Sequence, residues 1–122
     1  MPILEVEIVV NPGEILPAGL AAEIAERAGD IFGSAAGGTW VRIYPLPREN
    51  YAENGGSLDD TIRPVFVSIL KAQLPPADIL RDEVCRVTEA IAKACGRPAE
   101  NVHIVYQPEG KGRVAFGGRI VE

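Results

Sequence analysis

Residues 3–10 alternate, with Leu4, Val6, Ile8 and Val10 on one side and Glu5 and Glu7 on the other. That period of two is the pattern of a strand with one buried face. Asn11-Pro12-Gly13 closes it as a turn. From about Pro17 the apolar positions fall at Leu20, Ile24, Ala28 and Ile31, one face of a helix that admits Pro17 in its first turn. The glycine-rich run at 33–38 stops that helix, and residues 39–46, rich in β-branched and aromatic side chains, predict a second strand.

The same order then recurs. Residues 65–71 read as a strand, Leu74-Pro75-Pro76 as a breaker, and 76–94 as a helix with Leu80, Val84, Val87 and Ile91 on one face. Gly96 ends it, and residues 101–107 predict a fourth strand. Aligning Pro2 with Pro64 gives an offset of 62 residues, so pseudo-repeats at 2–58 and 62–120 make up one domain over 1–122. A helix joining two strands of one sheet is a right-handed crossover, which makes those strands parallel. Two such units predict an α+β fold: one four-stranded mixed sheet with both helices on one face. The third strand is apolar on both sides, with Val65, Val67 and Ile69 against Phe66 and Leu70. The second sheet face therefore needs a cover that the chain does not supply, which predicts a closed cyclic homo-oligomer.

Composition narrows the function. A chain of 122 residues with 47% hydrophobic and 24% charged residues holds one core. A net charge of −5 with scattered basic residues argues against nucleic acid as a partner. No apolar run reaches the ~20 residues of a membrane span, and Glu5 and Glu7 with no basic start do not fit a secretory leader. The expected compartment is the cytoplasm. Cys85 and Cys95 lie on one predicted helix, too far apart to bridge, and read as two buried thiols. A single His and no Cys/His cluster predict no metal. The glycine runs lack the strand-to-helix spacing of a phosphate cradle and read as turns.

Pro2 is the candidate for chemistry. A small second residue predicts removal of Met1, leaving a secondary amine at the start of a core strand. An α-amino group titrates at about 7.7–8.0, and burial beside cations lowers that, so the free amine is available as a base or nucleophile near neutral pH.

An N-terminal proline opening a strand and two β-α-β units of about sixty residues are the first elements of a family resemblance. The others are Val41-Arg42-Ile43, the segment 47–56 ending in Gly55-Gly56, and the segment 111–118 ending in Gly117-Gly118. Together they resemble the tautomerase superfamily, the group of 4-oxalocrotonate tautomerase, macrophage migration inhibitory factor and 5-carboxymethyl-2-hydroxymuconate isomerase. The resemblance spans nearly the whole chain and includes a Gly-Gly hairpin after each second strand. It implies a closed trimer, no cofactor, and an enol–keto tautomerase acting on a small-molecule carboxylate, with Pro2 as catalytic acid/base. Arg42 matches a strand arginine that binds substrate across a subunit boundary, and His103 stands at that position in the second repeat. Lys71, ending the strand beside the first, matches a cation that holds a substrate carboxylate, and Tyr51 an aromatic pocket wall. Tyr106 and Arg113 complete the expected substrate-binding set.

The chain also departs from the pattern. Pro12 replaces an arginine of several members, and Gly33-Ser34-Ala35 replaces a Gly-Lys-Pro run. These departures weigh against the first alternative, a decarboxylase, hydratase or dehalogenase of a three-carbon acid using the same proline, and permit the second, a non-enzymatic oligomer that keeps only the fold. Pro64 is internal, so one site per chain is expected.

Overall fold

The alternation of the first segment becomes strand β1 (Ile3–Val10), followed by α1 (Leu20–Phe32) and β2 (Trp40–Pro47). The second unit runs β3 (Val65–Leu70), α2 (Ala77–Cys95) and β4 (Val102–Tyr106), and two short strands, β5 (Ala115–Phe116) and β6 (Arg119–Ile120), end the chain. The structure, a computed structural model, describes residues 2–56 and 59–122.

The four long strands form one mixed sheet in the order β2-β1-β3-β4. Within each unit the strands are parallel, and β1 and β3 meet antiparallel at the centre. Leu4, Val6, Ile8, Val65, Val67 and Ile69 are buried beneath Ile24 of α1 and Val87 and Ile91 of α2, so both helices cover one face. Each such fully buried side chain is worth roughly 1.5–3 kcal/mol over its exposed state. On the opposite face Trp40, Tyr44 and Val105 are 51%, 46% and 62% exposed. That is more aromatic and aliphatic surface than a lone strand face ordinarily offers to water.

Helix α1 starts three residues later than its periodicity suggests. Gly19 has φ 80°, a left-handed conformation no helix admits, and the Leu20 N–H closes a turn onto the Pro17 carbonyl at 3.3 Å. Pro17 therefore belongs to the turn before the helix. Cys95 is buried as expected, but Cys85 is exposed on the solvent side of α2.

The two parallel ladders correspond with a shift one residue shorter than the prolines suggest. Leu4 lies opposite Val41 and Val65 opposite Val102, so a shift of 61 residues maps one ladder onto the other. Parity is the reason. Side chains alternate along a strand, and only an odd shift carries core-facing Leu4, Val6 and Ile8 onto core-facing Val65, Val67 and Ile69. The counterpart of Pro2 is accordingly Arg63. Gly117-Gly118 joins β5 to antiparallel β6 as expected, whereas Gly55-Gly56 forms a turn with no ladder beside it among the described residues. The last two residues of the expected first repeat, Ser57 and Leu58, lie outside the described residues, as does Met1.

Candidate functional site

The antiparallel ladder of β1 and β3 ends at Ile3 opposite Leu70, which leaves Pro2 and Lys71 as the flanking pair at one end of the sheet. Alternation puts both on the helix-covered side, the side of Leu4 and Ile69. Pro2 is buried, and its carbonyl accepts the Trp40 N–H at 3.0 Å, fixing the strand start against β2. It lines a cleft of about 450 Å³ with Phe32, Ser34, Lys71 and Gln73. The cleft lies where α1 stops, at Gly33, whose φ of 67° is the left-handed helix end.

Lys71 is held. Its Nζ donates to Glu83 Oε1 at 2.7 Å and lies 4.8 Å from the centre of the Phe32 ring. The Tyr106 hydroxyl donates to the other oxygen, Glu83 Oε2, at 2.7 Å. Burial, and then the carboxylate it bonds, push the Tyr106 phenol well above its usual range, so near neutral pH it serves as a fixed donor. An ammonium has three protons to donate, and with one spent on Glu83 the Lys71 Nζ keeps donors for a substrate carboxylate.

A second cleft, of about 290 Å³, opens at the same end of the sheet on the uncovered face, with Ile3, Glu5, Arg42, Ser68, Gln107 and Arg113 in its lining. Arg42 pairs with Glu5, and both side chains are half exposed. Arg113 donates to the Glu109 carbonyl at 3.3 Å. The structure thus brings Lys71 to Pro2, Tyr106 to Lys71 through Glu83, and Arg42 to Arg113.

Tyr51 and His103 lie elsewhere. The Tyr51 ring is 5.6 Å from that of Phe66, which is 5.5 Å from His103, toward the other end of the sheet. The Tyr51 hydroxyl donates to Glu53 at 2.5 Å, and that bond, with burial, raises its pKa to about 12. Within one chain neither residue joins the Pro2 cleft.

Two residues escaped the sequence reading. Glu83 is 8% exposed although it is a carboxylate on the apolar stripe of α2. Its signal was an acidic residue one turn from Val87 and Leu80, where only an apolar residue was expected. Arg97 is likewise 8% exposed and stands at the opposite end of the sheet, beside the Pro2 counterpart Arg63. Its guanidinium donates to the carbonyls of Arg63 (3.1 Å), Cys95 (3.2 Å) and Val9 (3.1 Å) and to Glu14 at 3.0 Å. Burial pushes the Glu14 carboxyl up, but the Asn11 amide, Arg63 and Arg97 outweigh it and hold the carboxyl below its ordinary 4.5. Where the first unit has an open cleft, the second has this closed ion knot.

Among the described residues no group of three His, Cys, Asp or Glu side chains is placed to hold a metal, and no helix is long and apolar enough to cross a membrane.

No family model and no curated protein matches the sequence. Solved structures do match. Pt0534 inactivated by 2-oxo-3-pentynoate superposes with a TM-score of 0.75 at 15% identity, covering 98% of this chain and 95% of that one. A wild-type fused 4-oxalocrotonate tautomerase, an asymmetric trimer designated F6, gives a TM-score of 0.74 at 16% identity, covering 95% and 94%. The macrophage migration inhibitory factor of Trichinella spiralis gives 0.70 at 12% identity, covering 97% and 98%. At such identities what is shared is the fold, end to end: this chain has the fold of the tautomerase superfamily.

Proposed function

We propose that this chain, built on the tautomerase fold, catalyses enol–keto proton transfer on a small enol or dienol carboxylic acid. The observation that carries the reading is the pairing of Pro2 and Lys71 at the mouth of one cleft, at the one strand start able to end in a free amine. Once Met1 is removed, the Pro2 nitrogen takes the proton from the enol hydroxyl. The prolinium then returns a proton to the substrate carbon, so the amine ends as it began. Lys71 holds the carboxylate and offsets the negative charge that grows on the substrate, an interaction strengthened by the largely buried setting of the ammonium. Such a proton transfer needs no cofactor.

The probe is suggested by the Pt0534 structure, in which 2-oxo-3-pentynoate inactivated the protein. An electron-poor alkyne of that kind reacts with a neutral amine. Intact-mass spectrometry of the purified protein is expected to show Met1 absent and, after incubation with 2-oxo-3-pentynoate, one adduct per chain, mapped to Pro2. Retained Met1, or no adduct at Pro2, refutes the reading.

The exposed face with Trp40, Tyr44 and Val105 supports a homo-oligomer, and the fused 4-oxalocrotonate tautomerase neighbours are trimers. A trimer of this chain would set Arg42, Arg113, Tyr51 and His103 against neighbouring subunits. Light scattering is expected to give three times the chain mass; the mass of one chain would leave that face uncovered and refute the trimer. Action in the cytoplasm is part of the same proposal.

A further inference from the structure

Glu83 calls for an explanation beyond packing. A carboxylate on the apolar stripe of a helix is costly to bury and is tolerated only when fully partnered. Replacing such a buried ion pair with apolar residues is often neutral or stabilising, so stability alone is a poor reason to keep one. Both Glu83 oxygens are engaged, one by Lys71 and one by Tyr106, and the Lys71 side chain is only 15% exposed. The Glu83 charge therefore offsets part of the ammonium charge that Lys71 presents to the Pro2 cleft.

We infer that Glu83 is a positioning residue for the reaction: it fixes Lys71 beside Pro2 and, by balancing the ammonium charge, sets the proton affinity of the Pro2 amine. The inference rests on the tautomerase reading for its use, but its physical content is a charge effect measurable without turnover. The other charges around the amine are few. Among the described residues, Lys71 is the one ionisable side chain lining the cleft. From α1 there is the negative end of the helix dipole at Phe32, with Asp30 exposed on the last turn. Glu5 and Arg42 of β1 and β2 pair on the opposite face, β4 carries Tyr106 on the covered face and His103 on the opposite one, and Glu109 of the final segment accepts the Leu74 N–H. All of these stay constant when Glu83 alone is changed.

The sign follows from Coulomb's law. Glu83→Gln leaves the Lys71 charge unbalanced, which disfavours the protonated amine and lowers its pKa. Lys71→Met leaves the Glu83 charge unbalanced and raises it. For the Lys71 charge, at the roughly 5–8 Å spacing of neighbouring side chains on a ladder, the shift is on the order of one pH unit; the Glu83 charge, on α2, acts with the opposite sign.

The test is a nitrogen-15 NMR titration of the Pro2 amine in proline-labelled wild-type protein and in Glu83→Gln, Glu83→Asp and Lys71→Met. The expected result is a fall in Glu83→Gln, a rise of about one unit in Lys71→Met, and a near wild-type value in Glu83→Asp. Coincidence of Glu83→Gln with wild type, or a shift of the same sign in the Gln and Met variants, overturns the inference. If Glu83→Gln does not fold, an unmoved Lys71→Met overturns it equally. Enol-acid kinetics on the same samples separate the two claims. Opposite shifts without turnover refute the tautomerase reading and leave the electrostatic role standing, whereas turnover without shifts does the reverse.

Discussion

Pro2→Ala is expected to lower kcat/KM for ketonisation of an enol acid such as phenylenolpyruvate by about 10²–10⁴-fold, the usual contribution of a positioned acid/base. The variant isolates the amine. Alanine at position 2 still permits loss of Met1, but the result is a primary amine on a backbone whose φ is no longer locked. The Trp40 N–H still finds the carbonyl of residue 2, so thermal melting should change little. Loss of rate with an unchanged melting curve is the signature of a catalytic group. If wild type and variant are equally inert toward enol acids and haloacrylates, the chain is a non-enzymatic oligomer on the same fold.

The second large effect is on stability and lies at the other end of the sheet. Arg97→Met is expected to cost about 3–5 kcal/mol, the range found when one partner of a buried ion pair is removed. Methionine fills part of the volume but strands the carbonyls of Val9, Arg63 and Cys95, and leaves Glu14 with Arg63 as its one cationic partner. For a domain of this size that is a fall of roughly 10–20 °C in Tm. The knot also carries a pH dependence. The folded Glu14 carboxyl titrates below its ordinary 4.5, so its contribution is full above that value and is lost as the pH falls through the lower folded one. Melting followed downward from neutral pH should show wild type converging on Arg97→Met under acid conditions. Parallel curves would refute the assignment.

Strands were the most legible part of the sequence, because Leu4, Val6 and Ile8 state their burial by alternation alone. Both helix ends were legible as well, since Gly33 and Gly96 adopt the left-handed conformation that stops a helix. The start of α1 was less so: Pro17 is admissible in a first turn, and only the φ of Gly19 decides against it. The repeat was registered on a pair of prolines, yet the parity of the apolar positions already demanded an odd shift. Pro2 and Lys71 were visible because a strand order places them at one end. Glu83 was not, because periodicity counts apolar residues and passes over a charge hidden among them. Arg97 likewise looked like part of a helix stop, and its hydrogen bonds reach segments 34 to 88 residues away in sequence.

The 61-residue register has a further consequence. The strand start of the first unit carries Pro2, the proposed base, and that of the second carries Arg63, already paired with Glu14. The two ends of the sheet are therefore free to drift under separate demands. Changes at Pro2 should be felt in rate and acidity with the melting curve as a bystander, whereas changes at Lys71 or Glu83, a buried ion pair, should be felt in stability as well. Changes around Arg63, Glu14 and Arg97 should be felt in endurance to heat and acid with turnover as the bystander. A mutational scan scored on both properties should therefore separate the residues around Pro2 from those around Arg97 by their effect on rate.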